Sequence, residues 1–146
     1  YLISTVLRIT AMNIKLFETV KEIRSKAGEL HFTRFAILEI PNIFSIYIHK
    51  IYTHDKDPYL HNHPWNFLGI ILKGGYEEET LMGKKWKRPG TVSIGTRHMF
   101  HKISMSVPEK PITSVFFTWG KYVPWGYMKG FENGMEYRKN KNEHQS

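Results

Sequence analysis

Short runs of β-branched and aromatic residues recur along the chain from Phe32 onward, and glycine or proline separates most of them. Such runs favour strands because their side chains pack well on a pleated, half-buried surface. Gly74-Gly75 and Pro89-Gly90 are typical turn pairs. Many short strands joined by turns favour a sandwich or a small barrel, so the pattern predicts an all-β fold. The predicted strands cover 32–38, 44–52, 65–72, 76–81, 84–87, 91–94, 100–104 and 112–119.

One segment before these runs has a different periodicity. Its apolar residues recur at the spacing of one helix face: Leu16, Phe17, Val20, Ile23 and Ala27. Because Gly28 can end such a helix in a left-handed conformation, we predict one N-terminal α-helix over about residues 10–27. The barrel is expected over about 30–120, with a C-terminal wrap and tail over 121–146. No linker or repeat is visible, so a single domain over 1–146 is expected.

The composition limits the possible kinds of site. The 146 residues include no cysteine but eight histidines, so disulfides and thiolate metal sites are excluded and a metal would need His, Asp or Glu ligands. The formal net charge is +8, with lysines concentrated at 84–88 and 138–141. No basic helix face or nucleic-acid motif accompanies them, so these clusters are expected to be a solvated hairpin arm and tail rather than a nucleic-acid surface.

The sequence also bears on location. No apolar run is long enough to span a bilayer. Residues 1–7 lack the basic start and the small-residue cleavage site of a signal peptide. A cytoplasmic protein without a membrane span is therefore expected.

The sharpest local feature is the histidine pair in the segment LHNHPW at residues 60–65. Side chains alternate between the two faces of a strand, so His61 and His63 point the same way if this segment is extended. Two neighbouring imidazoles suit a divalent metal ion such as Fe, Ni, Mn or Zn. Taken alone, the pair also fits two solvated histidines at a loop end. His101 opens a later predicted strand, which can bring a third imidazole across the barrel.

These residues resemble, in order and spacing, the two motifs of the cupin superfamily. His61-Asn62-His63 followed by Gly75 resembles the first motif, and Pro89-Gly90 followed by His101 resembles the second. The wider pattern HNHPW, GGYEE, RPG and H resembles a group of bacterial and phage cupins with no settled activity. The resemblance implies a jelly-roll barrel, also called a double-stranded β-helix. It also implies a metal pocket formed by His61, His63 and His101.

The chain departs from the cupin pattern at one ligand. Leu68, or Phe67 in the other register, stands where the first motif has a glutamate. The remaining three-histidine set resembles the site of thiol dioxygenases, which implies a mononuclear metalloenzyme of oxygenase type. One alternative is a cupin-like isomerase or epimerase of a sugar or nucleotide sugar, with His63 as base and Tyr76 as acid. The other is a non-catalytic barrel that binds a small molecule.

Three further residues are candidates for the chemistry of the pocket. Tyr76 and Glu78 share one face of the strand after Gly75. Glu78 is a candidate for a fourth metal ligand, for a partner that orients a ligand histidine, or for a general base. Alternatively, it is a solvated residue of the acidic run 77–79. His49 is a candidate proton shuttle or a plain core histidine. A homodimer is expected because such barrels often pair by their sheet edges.

Overall fold

The chain folds into two antiparallel sheets of six strands each. The computed structural model describes residues 13–53, 59–106, 110–120, 126–131 and 134–139. The strands are β1 (Lys15–Arg24), β2 (Leu30–Ile40), β3 (Phe44–Ile51), β4 (Leu60–Asn62), β5 (Asn66–Lys73), β6 (Tyr76–Thr80), β7 (Gly83–Lys87), β8 (Val92–Gly95), β9 (Phe100–Ser106), β10 (Ile112–Trp119), β11 (Gly126–Phe131) and β12 (Gly134–Lys139). The first sheet has the order β1-β2-β3-β10-β5-β8, and the second has the order β12-β11-β4-β9-β6-β7.

Successive strands from β3 to β11 alternate between the two sheets, except for the hairpin of β6 and β7. As a result β10 lies between β3 and β5, and β9 lies between β4 and β6. The core lies between the sheets, because Ile71 and Ile112 of the first sheet cluster with Tyr76 and Ile103 of the second. The predicted strands from 32 to 119 are present, and an additional short strand, β4, pairs with β9 so that His61 and His101 lie side by side in the second sheet.

The prediction of a helix over 10–27 is wrong where the structure describes that segment. Residues 15–24 form β1, which pairs with β2 so that Leu16 lies opposite Leu38. Backbone hydrogen bonds to β2 replace those of a helix, and the apolar residues that suggested a helix face remain largely open, with Leu16 58% and Phe17 71% exposed. Gly28 has a φ of 86°, but it belongs to the turn between β1 and β2. Residues 10–12 lie outside the described residues.

The C-terminal part differs from the predicted wrap and tail. Residues 126–131 and 134–139 form the antiparallel pair of β11 and β12. β11 also pairs with β4, with Tyr127 opposite His61, so this pair extends the second sheet. The glycines and charged residues of both strands have weak strand preference, and for this reason the sequence did not show them. No helix among the described segments is long and apolar enough to cross a membrane.

Candidate metal centre

Two adjacent strands of the second sheet carry His61 and His101. The two residues are direct cross-strand partners in β4 and β9, and their ring centroids lie 5.1 Å apart. β4 is only three residues long, but the side chain of Asn62 fixes it on two sides. Its amide nitrogen donates to the carbonyl oxygen of Arg97 over 3.1 Å, and its amide oxygen accepts from the backbone N–H of Gly126 over 2.6 Å.

His63 follows β4 directly and completes a cluster of three imidazoles. Its Nε2 atom lies 2.7 Å from Nε2 of His101. One nitrogen from each of His61, His63 and His101 lies within 4.8 Å of the other two. The structure therefore brings together the three residues that the sequence analysis singled out as metal ligands.

The surroundings of His63 favour its neutral form. Burial lowers the pKa of His63 well below its ordinary value, and the charges of His101, His61 and Arg34 act in the same direction. The ring of Phe67 lies 5.0 Å from the imidazole, measured between centroids. Neutral imidazole is the form that binds metals, so His63 is a competent ligand at neutral pH.

A buried carboxylate orients His101. Oε1 of Glu78 lies 2.7 Å from Nδ1 of His101, and both side chains are less than a tenth exposed. Burial raises the pKa of Glu78, but hydrogen bonds from His101 and Lys87 outweigh that effect and lower the pKa below its ordinary value. An ionised carboxylate only accepts hydrogen bonds, so Nδ1 of His101 is the donor. The lone pair of the neutral ring is then on Nε2, the atom that faces His63.

Sequence reasoning missed Lys87. Its Nζ atom lies 2.5 Å from Oε2 of Glu78 and donates to Oγ of Ser93 over 2.7 Å. In the register of β6 and β7, Glu78 lies opposite Lys85 and diagonal to Lys87. Opposite charges at diagonal positions of a hairpin can indicate an ion pair in the sequence. The run of basic residues hid it, because four of the five residues at 84–88 are lysine or arginine.

The structure places Tyr76 and His49 near the cluster but outside it. Tyr76 is a core residue, and it lines a space of about 10 Å³ that Glu78 and His101 also line. Such a space is roughly large enough for one water molecule. His49 is buried and accepts a hydrogen bond from Nε of Arg34 over 2.9 Å. The catalytic roles of Tyr76, Glu78 and His49 stay predictions.

The donor set agrees with the departure from the cupin pattern. At the position where a carboxylate would stand in one register, the ring of Phe67 packs against His63 instead. Within the described residues, the group of side chains able to hold a metal consists of three imidazoles and no carboxylate. Such a set suits the later first-row divalent ions, whereas calcium and magnesium prefer oxygen ligands. Asp57, an acid of the preceding loop, lies outside the described residues.

No protein-family model and no curated protein sequence matches the chain. Solved structures do match it. The polyketide cyclase RemF from Streptomyces resistomycificus has a TM-score of 0.59 at 16% identity, covering 82% of this chain and 83% of that chain. A cupin-superfamily sugar phosphate isomerase from Silicibacter pomeroyi has a TM-score of 0.51 at 12% identity, covering 94% and 92%. The Fe(II) form of HppE has a TM-score of 0.53 at 9% identity, covering 75% of this chain and 57% of that chain.

At these identities the likeness shows the fold. The chain has the cupin fold, and the prediction of an all-β jelly-roll barrel is confirmed. The geometry of the three histidines is an independent observation, because it rests on the side chains of this chain alone.

Proposed function

We propose that the chain binds one divalent transition-metal ion through His61, His63 and His101 and acts on a small molecule as a metalloenzyme of three-histidine oxygenase type. The observation that carries this proposal is the approach of three imidazole nitrogens to within 4.8 Å of one another. Imidazole nitrogens suit Fe, Ni, Mn and Zn, and these are the ions to test.

The residues of the chain have separate tasks in this proposal. Glu78 accepts the Nδ1–H of His101 and keeps Nε2 of that ring directed at His63. Phe67 and Phe116, whose ring centroids lie 5.0 Å and 6.2 Å from that of His63, cover this side of the cluster with apolar surface. When bound, the ion supplies Lewis-acid chemistry or, in the case of iron, redox chemistry with dioxygen.

The charge of the site favours an anionic substrate. Three neutral imidazoles leave the double positive charge of a bound ion uncompensated, and a ligand that carries negative charge is attracted to it. A two-histidine, one-carboxylate site of the 2-oxoglutarate type needs a free carboxylate. Glu78 is instead engaged by His101 and Lys87. An oxygenase of the 2-oxoglutarate type is therefore disfavoured.

The isomerase alternative has its own support. The likeness to the sugar phosphate isomerase covers 94% of this chain. Tyr76 and His101 line the same small space, so the hydroxyl of Tyr76 is near the histidine cluster. In this alternative, His63 would act as base and Tyr76 as acid, either without a metal or with Zn or Mn as the ion. A non-catalytic barrel that binds a small molecule remains the third possibility, and a homodimer stays a prediction for light scattering to test.

One experiment separates these functions. Protein purified without a histidine tag is loaded anaerobically with Fe(II) or with Zn(II), mixed with a panel of small carboxylates and sugar phosphates, and followed by oxygen uptake and product mass. Oxygen uptake that occurs with Fe(II) but not with Zn(II) supports the oxygenase, provided that it is lost in His101→Ala. It should be kept in His98→Ala, a change at an exposed histidine. A product of unchanged mass formed without oxygen supports the isomerase. Separate loading with Ni(II) and Mn(II) completes the metal set, and failure of the parent protein to bind Fe(II), Zn(II), Ni(II) or Mn(II) would overturn the metal site.

A further inference from the structure

The first sheet is apolar on both of its faces. In β3, Ser45, Tyr47 and His49 are buried on the side that faces the second sheet. Successive side chains of a strand point to opposite faces, so Ile46 and Ile48 point away from the second sheet. The same alternation of buried and half-buried residues is present in β5. An antiparallel sheet with one face in water normally carries polar residues on that face, so this pattern is typical of a sheet covered on both sides.

The outward-pointing residues form two rows that run across the strands, because direct cross-strand partners lie on the same face. Such pairs join all members of the first row: Phe35, Ile48, Val115, Ile70 and Val92. The second row lies beside the first and is joined in the same way: Leu16, Leu38, Ile46, Phe117, Leu68 and Ile94. Neither row contains a charged residue. The surface formed by the two rows is called the outer face below.

The outer face has the dimensions of a protein interface. A shorter apolar row of Ile40, Phe44 and Trp119 extends it on one side. Six strands about 4.8 Å apart and three rows about 6.8 Å apart cover on the order of 500 Å² of flat area. Protruding side chains present more accessible surface than this, and a standard interface buries about 800 Å² per partner. An apolar patch of this size often marks an interaction site.

The charges of the chain favour a second copy as the partner. The formal net charge is +8, so two copies repel each other unless their contact surfaces lack charge. The outer face meets this condition, and Lys50 of β3 lies in the next row, between Thr33 and Thr113. A polar row beside an apolar centre is the usual arrangement of an interface and its rim. A partner recognised by negative charge would instead contact the basic run at 84–88, which lies along β7 of the second sheet.

The edge of the first sheet at β1 is less suited to pairing with another chain. β1 has register shifts between Thr19 and Lys21 and between Ile23 and Arg24. Phe17 of the same strand has a φ of 50°. Such irregularities oppose the addition of another strand at an edge. Two sheets that pack face to face need no free edge, because their side chains interdigitate across a gap of about 10 Å.

We infer that the outer face of the first sheet is the interface of a homodimer, in which two copies of the chain pack sheet against sheet. A two-fold axis running between the two rows places each row of one copy on the other row of its partner. The first row is mainly β-branched, and the second contains longer leucine and phenylalanine side chains. Val115 then lies opposite the partner's Phe117, so a smaller side chain meets a larger one.

The rows end at the edge strands, where Leu16, Val92 and Ile94 are 58%, 56% and 69% exposed in the single chain. These residues form the rim of the interface, and their truncation is expected to change the stability of the dimer little. The centre of the interface lies on β3, β10 and β5. The dimer does not depend on a bound metal.

The mass of the full chain in solution is the first test. Size exclusion with light scattering is expected to give about twice the 17.3 kDa of one chain, and sedimentation equilibrium gives the dissociation constant. A monomer at micromolar concentration would overturn the inference, because the outer face would then be covered by another segment of the chain or by a different partner.

Two variants at the centre of the outer face locate the interface. Val115→Lys is expected to give monomers, because it would bury an unpaired charge in each copy. Met82→Lys adds the same charge in the turn between β6 and β7, where Met82 is 96% exposed, and it should remain a dimer. If Val115→Lys does not fold, the double variant Ile48→Thr with Val115→Thr keeps both residues β-branched. Its dissociation constant should rise at least about tenfold, since hydroxyl groups without partners are then buried.

The folded state of each variant is checked by circular dichroism before its mass is compared with that of the parent. Monomers in folded Val115→Lys, or a raised dissociation constant in the double threonine variant, support the inference. A dimer that both variants leave unchanged would place the contact elsewhere, such as at a sheet edge, and would overturn it. Equal dissociation in Met82→Lys would overturn it as well, because added charge rather than the outer face would then control the mass.

Discussion

Oε1 of Glu78 lies 2.7 Å from Nδ1 of His101, while Nε2 of the same ring lies 2.7 Å from Nε2 of His63. One imidazole therefore bridges a buried carboxylate and the cluster of three histidines. A change at Glu78 reaches the cluster through the tautomer and orientation of His101, without any direct contact between the carboxylate and a bound ion. In the proposed metal site, Glu78 is accordingly expected to position His101, so the expected effect of its replacement is moderate.

Replacing Glu78 by glutamine is expected to weaken metal binding by about 10–100-fold, the usual effect of losing the partner of a ligand histidine. Competition with a chromophoric chelator measures the affinity. Glu79→Gln is the matched control, because Glu79 is a neighbour on the same strand that pairs with Lys102 over 3.3 Å. Equal losses in both variants would show that the effect is one of net charge alone.

Removing any one histidine of the cluster is expected to abolish stoichiometric metal binding. Elemental analysis of His61→Ala, His63→Ala and His101→Ala is compared with that of the parent. Added metal should raise the Tm of the parent, because a ligand of the native state stabilises it, and should leave the Tm of these variants unchanged. His98→Ala, a change at an exposed histidine, is the control. Metal retained in His101→Ala would contradict the assignment of that ligand.

Replacing Lys87 by methionine is expected to lower the free energy of unfolding by about 3–5 kcal/mol, since it leaves the buried carboxylate of Glu78 without its cationic partner. Urea denaturation measures the loss. The double variant with Glu78→Gln should recover part of the stability, because no uncompensated charge then remains. Lys85→Met is the control, and a change at this exposed position should stay within about 0.5 kcal/mol of the parent. A double variant no more stable than Lys87→Met alone would argue against the ion pair.

His49 is expected to make the protein less stable in acid. Burial, followed by the charges of Arg34 and Lys21, lowers the pKa of His49 well below its ordinary value. The unfolded chain binds a proton at this histidine below about pH 6.5, whereas the folded chain does not. The free energy of unfolding is therefore expected to fall as the pH drops from about 6.5 toward the pKa of His49 in the folded chain. Above about pH 6.5 His49 causes no such loss of stability.

Urea denaturation with a chelator present, at several values between pH 7 and pH 5, tests this expectation. In His49→Gln the dependence on pH should be smaller but not absent, because His63 also has a lowered pKa. His98→Gln should behave like the parent. An unchanged pH dependence in His49→Gln would show that the pKa of His49 is the same in the folded and unfolded chains, which would contradict the prediction.

Gly95 leaves room for the aromatic ring that covers His63. A Cβ atom added at Gly95 would overlap with the ring of Phe67. Gly95→Ala is therefore expected to lower the free energy of unfolding by about 1–3 kcal/mol, the usual cost of overpacking. Metal affinity should fall as well, because the displaced ring packs against His63. Ile94→Ala on the same strand is the control, since Ile94 is 69% exposed.

The sequence predicted the barrel and the grouping of the three histidines because strand runs and short motifs can both be recognised in a single sequence. Strand runs between turn residues mark the sheets, and an HxH pair with a later histidine marks the cluster. The same reasoning failed at residues 15–24, where spacings of three and four suggested a helix. Pairing with β2 decided the structure of this segment, and such long-range pairing overrides local periodicity.

The remaining parts of the site depend on register, which a single sequence does not show. Strand alternation singled out Glu78 from three consecutive acids, but only the pairing of β6 with β9 places it beside His101. Lys87 was one base in a basic run. A cavity lined by Arg34 and Trp119 likewise combines segments that lie far apart in the chain, from β2 to the residue after β10. No periodicity in the sequence marks such a meeting point.

β7 has a neighbour on one side only among the described strands, so it is an edge of the second sheet. Exposed edges can pair with other chains, and lysines on them, together with an inward-pointing charge, oppose such aggregation. Lys84 and Lys85 face solvent there, whereas Lys87 points inward to Glu78. A slip of one residue would expose Lys87 and bury Trp86 or Arg88 in its place. The ion pair between Lys87 and Glu78 therefore also fixes the register of β7 against β6. The basic run opposes pairing of this edge with the sheets of neighbouring molecules.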